Sequence, residues 1–85
     1  LIFPAYYKGK EFFLLLATDR QLNITAVEPL NTNHVPEAAK SKAYAGFKGQ
    51  AVNKLPQASG SGVDAAIAEA VKKAGTLLYV RLKNA

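Results

Sequence analysis

The chain has 85 residues, of which 49% are hydrophobic, and a formal net charge of +5. It has no cysteine and one histidine, which excludes a disulfide scaffold, a thiolate zinc site, a cysteine nucleophile and a metal site built from several histidines. A chain of this length buries roughly 60–65% of its unfolded surface, so residues 1–85 are predicted to form a single domain. The start at Leu1 rather than Met indicates a processed product or a domain cut from a longer protein.

The first third of the chain alternates apolar runs with turn residues. Residues 1–7 and 11–17 flank Lys8-Gly9-Lys10, a pattern typical of a hairpin with Gly9 in its turn. Pro4 cannot donate to a strand ladder, so the first strand is predicted to be an edge strand. Residues 22–27 alternate in polarity and stop before Pro29. Together these runs predict a three-stranded β-meander.

The second apolar run shows no alternation and so indicates a central strand with both faces covered. At six residues, Phe12 to Ala17 is the longest apolar run; it is too short to cross a membrane, and no membrane partner is expected. Two helices on one side of a sheet cannot cover both faces of this strand. We therefore expect that Phe12, Phe13 and Leu15 of this strand form an interface with a partner, and that one of the two phenylalanine rings lies on the uncovered face.

Two helices are predicted after the meander. The first spans about 36–45, with Asn33 as its cap, Gly46 at its end, and apolar residues every fourth position at Val35, Ala39, Ala43 and Phe47. The second spans 61–75: Ser61 caps it, Asp64 lies in its first turn, and Gly75 provides a left-handed ending. Its apolar stripe consists of Val63, Ile67 and Val71, with Ala66, Ala70 and Ala74 beside them.

The last residues, 76–83, alternate in a way that predicts a strand, with Leu78, Val80 and Leu82 on one face. The predicted fold is therefore α+β: a small, mostly antiparallel sheet, made of the N-terminal meander plus the C-terminal strand. Two helices are packed largely on one face, and the order is β-β-β-α-α-β.

Positive charge is concentrated in the middle of the chain. Residues 38–63 contain no acid and four lysines, Lys40, Lys42, Lys48 and Lys54. Such a segment is typical of a surface that binds nucleic acid or another polyanion, and the interleaved Tyr44 and Phe47 could stack on bases. We favour the alternative, namely a solvated helix face with Phe47 in the core.

A second candidate anion site is the stretch Ser59, Gly60, Ser61 and Gly62, which runs into the start of the second helix. Free N–H groups at a helix start can hold a phosphate. The alternative is a flexible linker followed by an ordinary cap.

No pattern indicates catalysis, because His34 has no carboxylate or nucleophile near it in sequence and the acids are scattered. We expect a non-enzymatic protein without a cofactor. The leading hypothesis is a small basic binding module for nucleic acid or another polyanion. The alternative is a structural subunit, in a homo-oligomer or a larger protein assembly, that associates through an apolar sheet face.

Overall fold

The computed structural model describes residues 1–55, 60 and 62–83, with the backbone alone at Lys83. Three antiparallel strands in the order β1-β2-β3 form an open sheet, and helices lie on one of its faces. This confirms the predicted α+β class and the meander. The elements are β1 (Ile2–Tyr7), β2 (Lys10–Thr18), β3 (Ile24–Asn31), α1 (Pro36–Ala39), two 3₁₀ helices (Ala43–Phe47 and Val52–Lys54) and α2 (Val63–Lys83).

A two-residue turn joins β1 and β2. Lys8 and Gly9 both have positive φ, at 52° and 77°, as the type I′ turn requires. This turn matches the right-handed twist of the strands, which explains why glycine follows lysine here. The predicted hairpin with Gly9 in its turn is confirmed.

Pro4 lies on the free edge of the sheet. The Leu1 nitrogen donates to the Leu16 carbonyl at 2.9 Å, and the Leu16 N–H donates back to the Leu1 carbonyl at 2.7 Å. Bonded and non-bonded pairs alternate along an antiparallel ladder, so the even-numbered residues of β1 direct their backbone groups away from β2. The N–H that proline lacks is therefore missing from the outer edge and not from the ladder. The prediction of an edge strand is confirmed.

The covered face of the sheet carries the core. Alternate residues of β1 and β2 are buried there beneath α2, together with two from β3: Phe3, Ala5, Phe12, Leu14, Leu16, Ile24 and Val27. Ile67, Val71 and Ala74 of α2 pack on these residues, so the predicted stripe of the second helix is confirmed. The segment between β3 and α2 contributes the rest of the core: Val35, Ala38, Phe47, Val52 and Leu55.

β3 is longer than its sequence predicts. It continues through Pro29, which pairs with Leu14 across an irregular register. Proline is tolerated here because β3 is an edge strand. The start of its outer edge is already occupied: the Ile24 N–H donates to the Gln50 carbonyl, and the Gly49 N–H donates to the Ile24 carbonyl, both at 2.8 Å.

The first helix is shorter than predicted. α1 ends at Ala39, and the residue before its first turn is Val35, which makes no side-chain cap, rather than Asn33. The Ser41 hydroxyl accepts the Ala43 N–H at 3.0 Å. Serine side chains compete in this way with helical carbonyls, so the chain resumes as a separate 3₁₀ helix.

The predicted C-terminal strand is wrong, because α2 continues for 21 residues to Lys83. Gly75 does not end it; it is buried in mid-helix, where an added Cβ would lie 3.0 Å from the Val52 Cβ. Glycine therefore lets α2 approach the second 3₁₀ helix closely.

Two physical reasons favour the helix over the strand. Leu78 and Leu82 continue the helical spacing of Val71 and Ala74, and leucine is a strong helix former, whereas the single glycine at Gly75 costs only about 1 kcal/mol. A fourth strand would also need a free edge with donors, whereas one edge contains Pro4 and the start of the other pairs with residues 49–52.

Candidate interaction surfaces

The face of the sheet opposite α2, here called the open face, is apolar and exposed. Three cross-strand pairs form much of it: Ile2 with Leu15, Pro4 with Phe13, and Tyr6 with Glu11. Ile2 is 64% exposed and Tyr6 60% exposed. No described element covers these side chains.

The two predicted interface rings lie on opposite faces. Phe12 is 0% exposed and belongs to the core, so its place among the predicted interface residues is wrong. Phe13 and Leu15 lie on the open face and are half-buried. Of the two rings, Phe13 is therefore the one that a partner could contact.

The charged side chains of the open face are acidic. The strands, all of which the structure describes, contain three charged residues, Lys10, Glu11 and Glu28. Glu11 pairs with Tyr6, and Glu28 pairs with Leu15, both on the open face. Lys10 pairs with Tyr7, and this pair belongs to the covered face. The Tyr6 hydroxyl donates to the Glu11 carboxylate at 2.8 Å. That bond, together with the carboxylate's charge, raises the pKa of Tyr6. Both acids disfavour a polyanion on this face.

The end of α2 is a second exposed apolar surface. Leu77 is 67% exposed, and Val80 and Leu82 are each 50% exposed. Residues 77–82 are called the α2 tip. The helix has no acid after Glu69, while Lys73 and Arg81 are both exposed. Cations at a helix C-terminus interact favourably with the helix dipole, and here they make the tip both apolar and basic.

A groove of about 370 Å³ lies between β1 and α2. Pro4 and Tyr6 line it from the strand, and Ala70, Lys73 and Leu77 line it from the helix. The groove therefore runs along the free edge of the sheet and connects the margin of the open face with the α2 tip.

The predicted basic segment lies elsewhere, in the connection between α1 and α2. Lys40 follows α1, Lys42 and Lys48 flank the first 3₁₀ helix, and Lys54 ends the second. All four lysines are exposed. Phe47 is buried and Tyr44 is half-buried, with its hydroxyl donating to the Ala38 carbonyl at 2.6 Å. The favoured placement of Phe47 in the core is confirmed.

Absence of acids in the sequence of this segment does not mean absence in space. The Ser41 hydroxyl donates to the carboxylate of Asp64, in the first turn of α2. Burial, and secondarily the charge of Asp64, raises the pKa of Tyr44 to about 12. The carboxylate of Asp64 therefore lies at Ser41, the residue between Lys40 and Lys42, although 23 positions separate Ser41 from Asp64 in the sequence.

The second candidate anion site is only partly described. Ser59 and Ser61 lie outside the described residues, and so does the predicted cap by Ser61. Gly60 has a φ of +89°, Gly62 is exposed, and the Gly62 carbonyl accepts the Ala66 N–H at 3.2 Å. That hydrogen bond is the one that closes the first turn of an ordinary α-helix.

His34 is exposed in the connection after β3. Within residues 1–55, 60 and 62–83, no cluster of three or more His, Asp or Glu side chains could hold a metal ion. Among the helices described, none combines the length and the apolarity that a membrane span needs.

Comparisons with known proteins identify no relative. No protein-family model matches the chain, and no curated protein and no solved structure matches it significantly. The surfaces themselves must therefore carry the functional argument.

Proposed function

We propose that the chain is a non-enzymatic structural subunit that self-associates through the open face of its sheet. The observation that carries this proposal is the exposure of Ile2 and Pro4, beside the half-buried Phe13 and Leu15, on a face that no described element covers. Contiguous exposed apolar surface of this kind marks sites of protein association.

The free edge of β1 is a poorer surface for association. A strand added there would meet Pro4, which provides a carbonyl but no N–H in the outward register. Association through side chains of the face avoids this defect, because packing between apolar side chains needs no backbone donor.

Size-exclusion chromatography with light scattering over a concentration series tests this proposal. The wild-type mass should rise above the 9.1 kDa of one chain, and Phe13→Lys should hold it near that value, because a buried unpaired ammonium group is costly. Asn53→Lys, at an exposed position of the second 3₁₀ helix, adds the same charge elsewhere and should behave as the wild type. A wild type of constant 9.1 kDa mass at millimolar concentration would overturn the proposal.

A second candidate function is binding of nucleic acid or another polyanion by the basic segment, which the exposure of all four lysines supports. Contacts between lysine and phosphate release counterions, so four contacts to duplex DNA would give a slope of log affinity against log salt of about −3.6.

Fluorescence anisotropy over a salt series tests the second candidate. Replacing Lys42 and Lys48 with Gln should weaken binding to all sequences alike and reduce the slope by about two. The matched replacement of Lys8 and Lys10, which lie on the β1–β2 hairpin, should change it much less. Absence of binding to DNA and RNA at low salt would contradict this candidate.

A further inference from the structure

The two exposed apolar surfaces carry opposite charge. The open face presents Glu11 and Glu28, and the α2 tip presents Arg81, with Lys73 one turn before it. Two open faces packed together would oppose acids to acids, and two tips packed together would oppose bases to bases. Like charges brought together at an interface are unfavourable, whereas opposite charges fix its orientation.

We propose that the open face of one copy binds the α2 tip of a second copy. This pairing alone, among the three that these two surfaces allow, joins apolar to apolar and acidic to basic. The inference rests on the proposed function and adds to it the surface that covers the open face. Leu77 and Val80, which share a helix face with Lys73 and Arg81, pack on Ile2, Phe13 and Leu15. The carboxylates of Glu11 and Glu28 lie at the margin near the basic side chains.

The length of α2 makes the tip available for this contact. Ile67 and Val71 are fully buried on the sheet, while Leu82, on the same stripe of the helix, is half exposed. An apolar stripe that continues past the covered part of a helix presents side chains for another surface to bury. The contact is heterologous, because different surfaces of the two copies meet.

Charge reversal across the two surfaces tests the proposal. Arg81→Glu and Glu28→Lys, each alone, should weaken self-association at least about tenfold, a loss of about 1.4 kcal/mol, when measured by sedimentation equilibrium at low salt. An equimolar mixture of the two variants should regain it, because each copy then meets an opposite charge on the other. Arg20→Glu and Glu37→Lys make the same charge changes at exposed positions outside both surfaces and should leave association unchanged.

The outcomes separate this inference from the proposed function. If Phe13→Lys abolishes association while Arg81→Glu leaves it intact, the open face is the interface but a surface other than the α2 tip covers it, and the inference is wrong. If the wild type does not self-associate, both fail. Circular dichroism of each variant shows whether a loss of association reflects unfolding instead, in which case Val80→Asp replaces Arg81→Glu and must weaken association for the inference to stand.

Discussion

The two halves of α2 have similar apolar spacing and opposite environments. In the first half, Ile67 and Val71 are 0% exposed, and in the second, Leu82, which continues their stripe, is 50% exposed. The first half lies over the sheet and is tied to the α1 connection through Asp64 and Ser41. The difference shows that an apolar pattern predicts a capacity for burial, while the extent of the neighbouring sheet decides which part of the pattern is used.

Truncation in the first half of α2 should have the largest effect on stability. Ile67→Ala removes a fully buried side chain and should lower the free energy of unfolding by about 2–5 kcal/mol, through lost burial and the cavity left behind. Urea denaturation followed by circular dichroism measures this change. A loss below about 1 kcal/mol would mean that Ile67 does not pack between the first half of α2 and the sheet.

The boundary between the halves should be sensitive to added volume. Gly75→Leu places a side chain where even a Cβ would lie 3.0 Å from Val52, and should cost about 1–3 kcal/mol through overpacking. Thr76→Leu, at the exposed neighbouring position, is the matched control and should change stability by less than about 0.5 kcal/mol. Equal losses in the two variants would show that α2 does not approach the second 3₁₀ helix this closely.

Alkaline pH should weaken the anchoring of the first half. The pKa of Tyr44 is raised from 10.0 to about 12, by burial first and by Asp64 second. Between pH 10 and pH 12 the unfolded chain therefore releases this proton more readily than the folded protein, and stability falls as pH rises. The urea midpoint should drop more between pH 9 and pH 11 in the wild type than in Tyr44→Phe. An equal drop in the two proteins would contradict the raised pKa of Tyr44.

The smallest effect is expected in the second half. Leu82→Ala removes a half-exposed side chain and should change the free energy of unfolding by no more than about 0.5 kcal/mol at low protein concentration. A loss comparable to that of Ile67→Ala would mean that the Leu82 side chain is buried within its own chain.

The sequence predicts local elements better than their ends. The β1–β2 hairpin follows from Gly9, and the edge position of β1 follows from Pro4, because each depends on backbone chemistry of its own residue. The end of α2 depends on distant partners instead. Glycine commonly ends helices, so the sequence predicts an end at Gly75. Only the close approach of Val52 shows that this glycine has a packing role instead.

The sequence predicts only part of the candidate surfaces, because their outlines also depend on distant partners. Residues 12–17 indicated a strand that two helices could not cover, but which ring faced outward depended on the register between β1 and β2. The α2 tip was missed because Leu78, Val80 and Leu82 alternate as a strand would. The α2 tip is visible only once the helix is known to continue past Gly75.

The position of Pro4 also protects the molecule from fibril growth. A six-residue apolar strand at an open edge is a template for cross-β stacking, in which each added chain continues the ladder. Proline in the outward register removes a donor from the middle of that template without weakening the native hairpin. The free edge of the sheet can therefore resist amyloid extension without any change to the apolar open face.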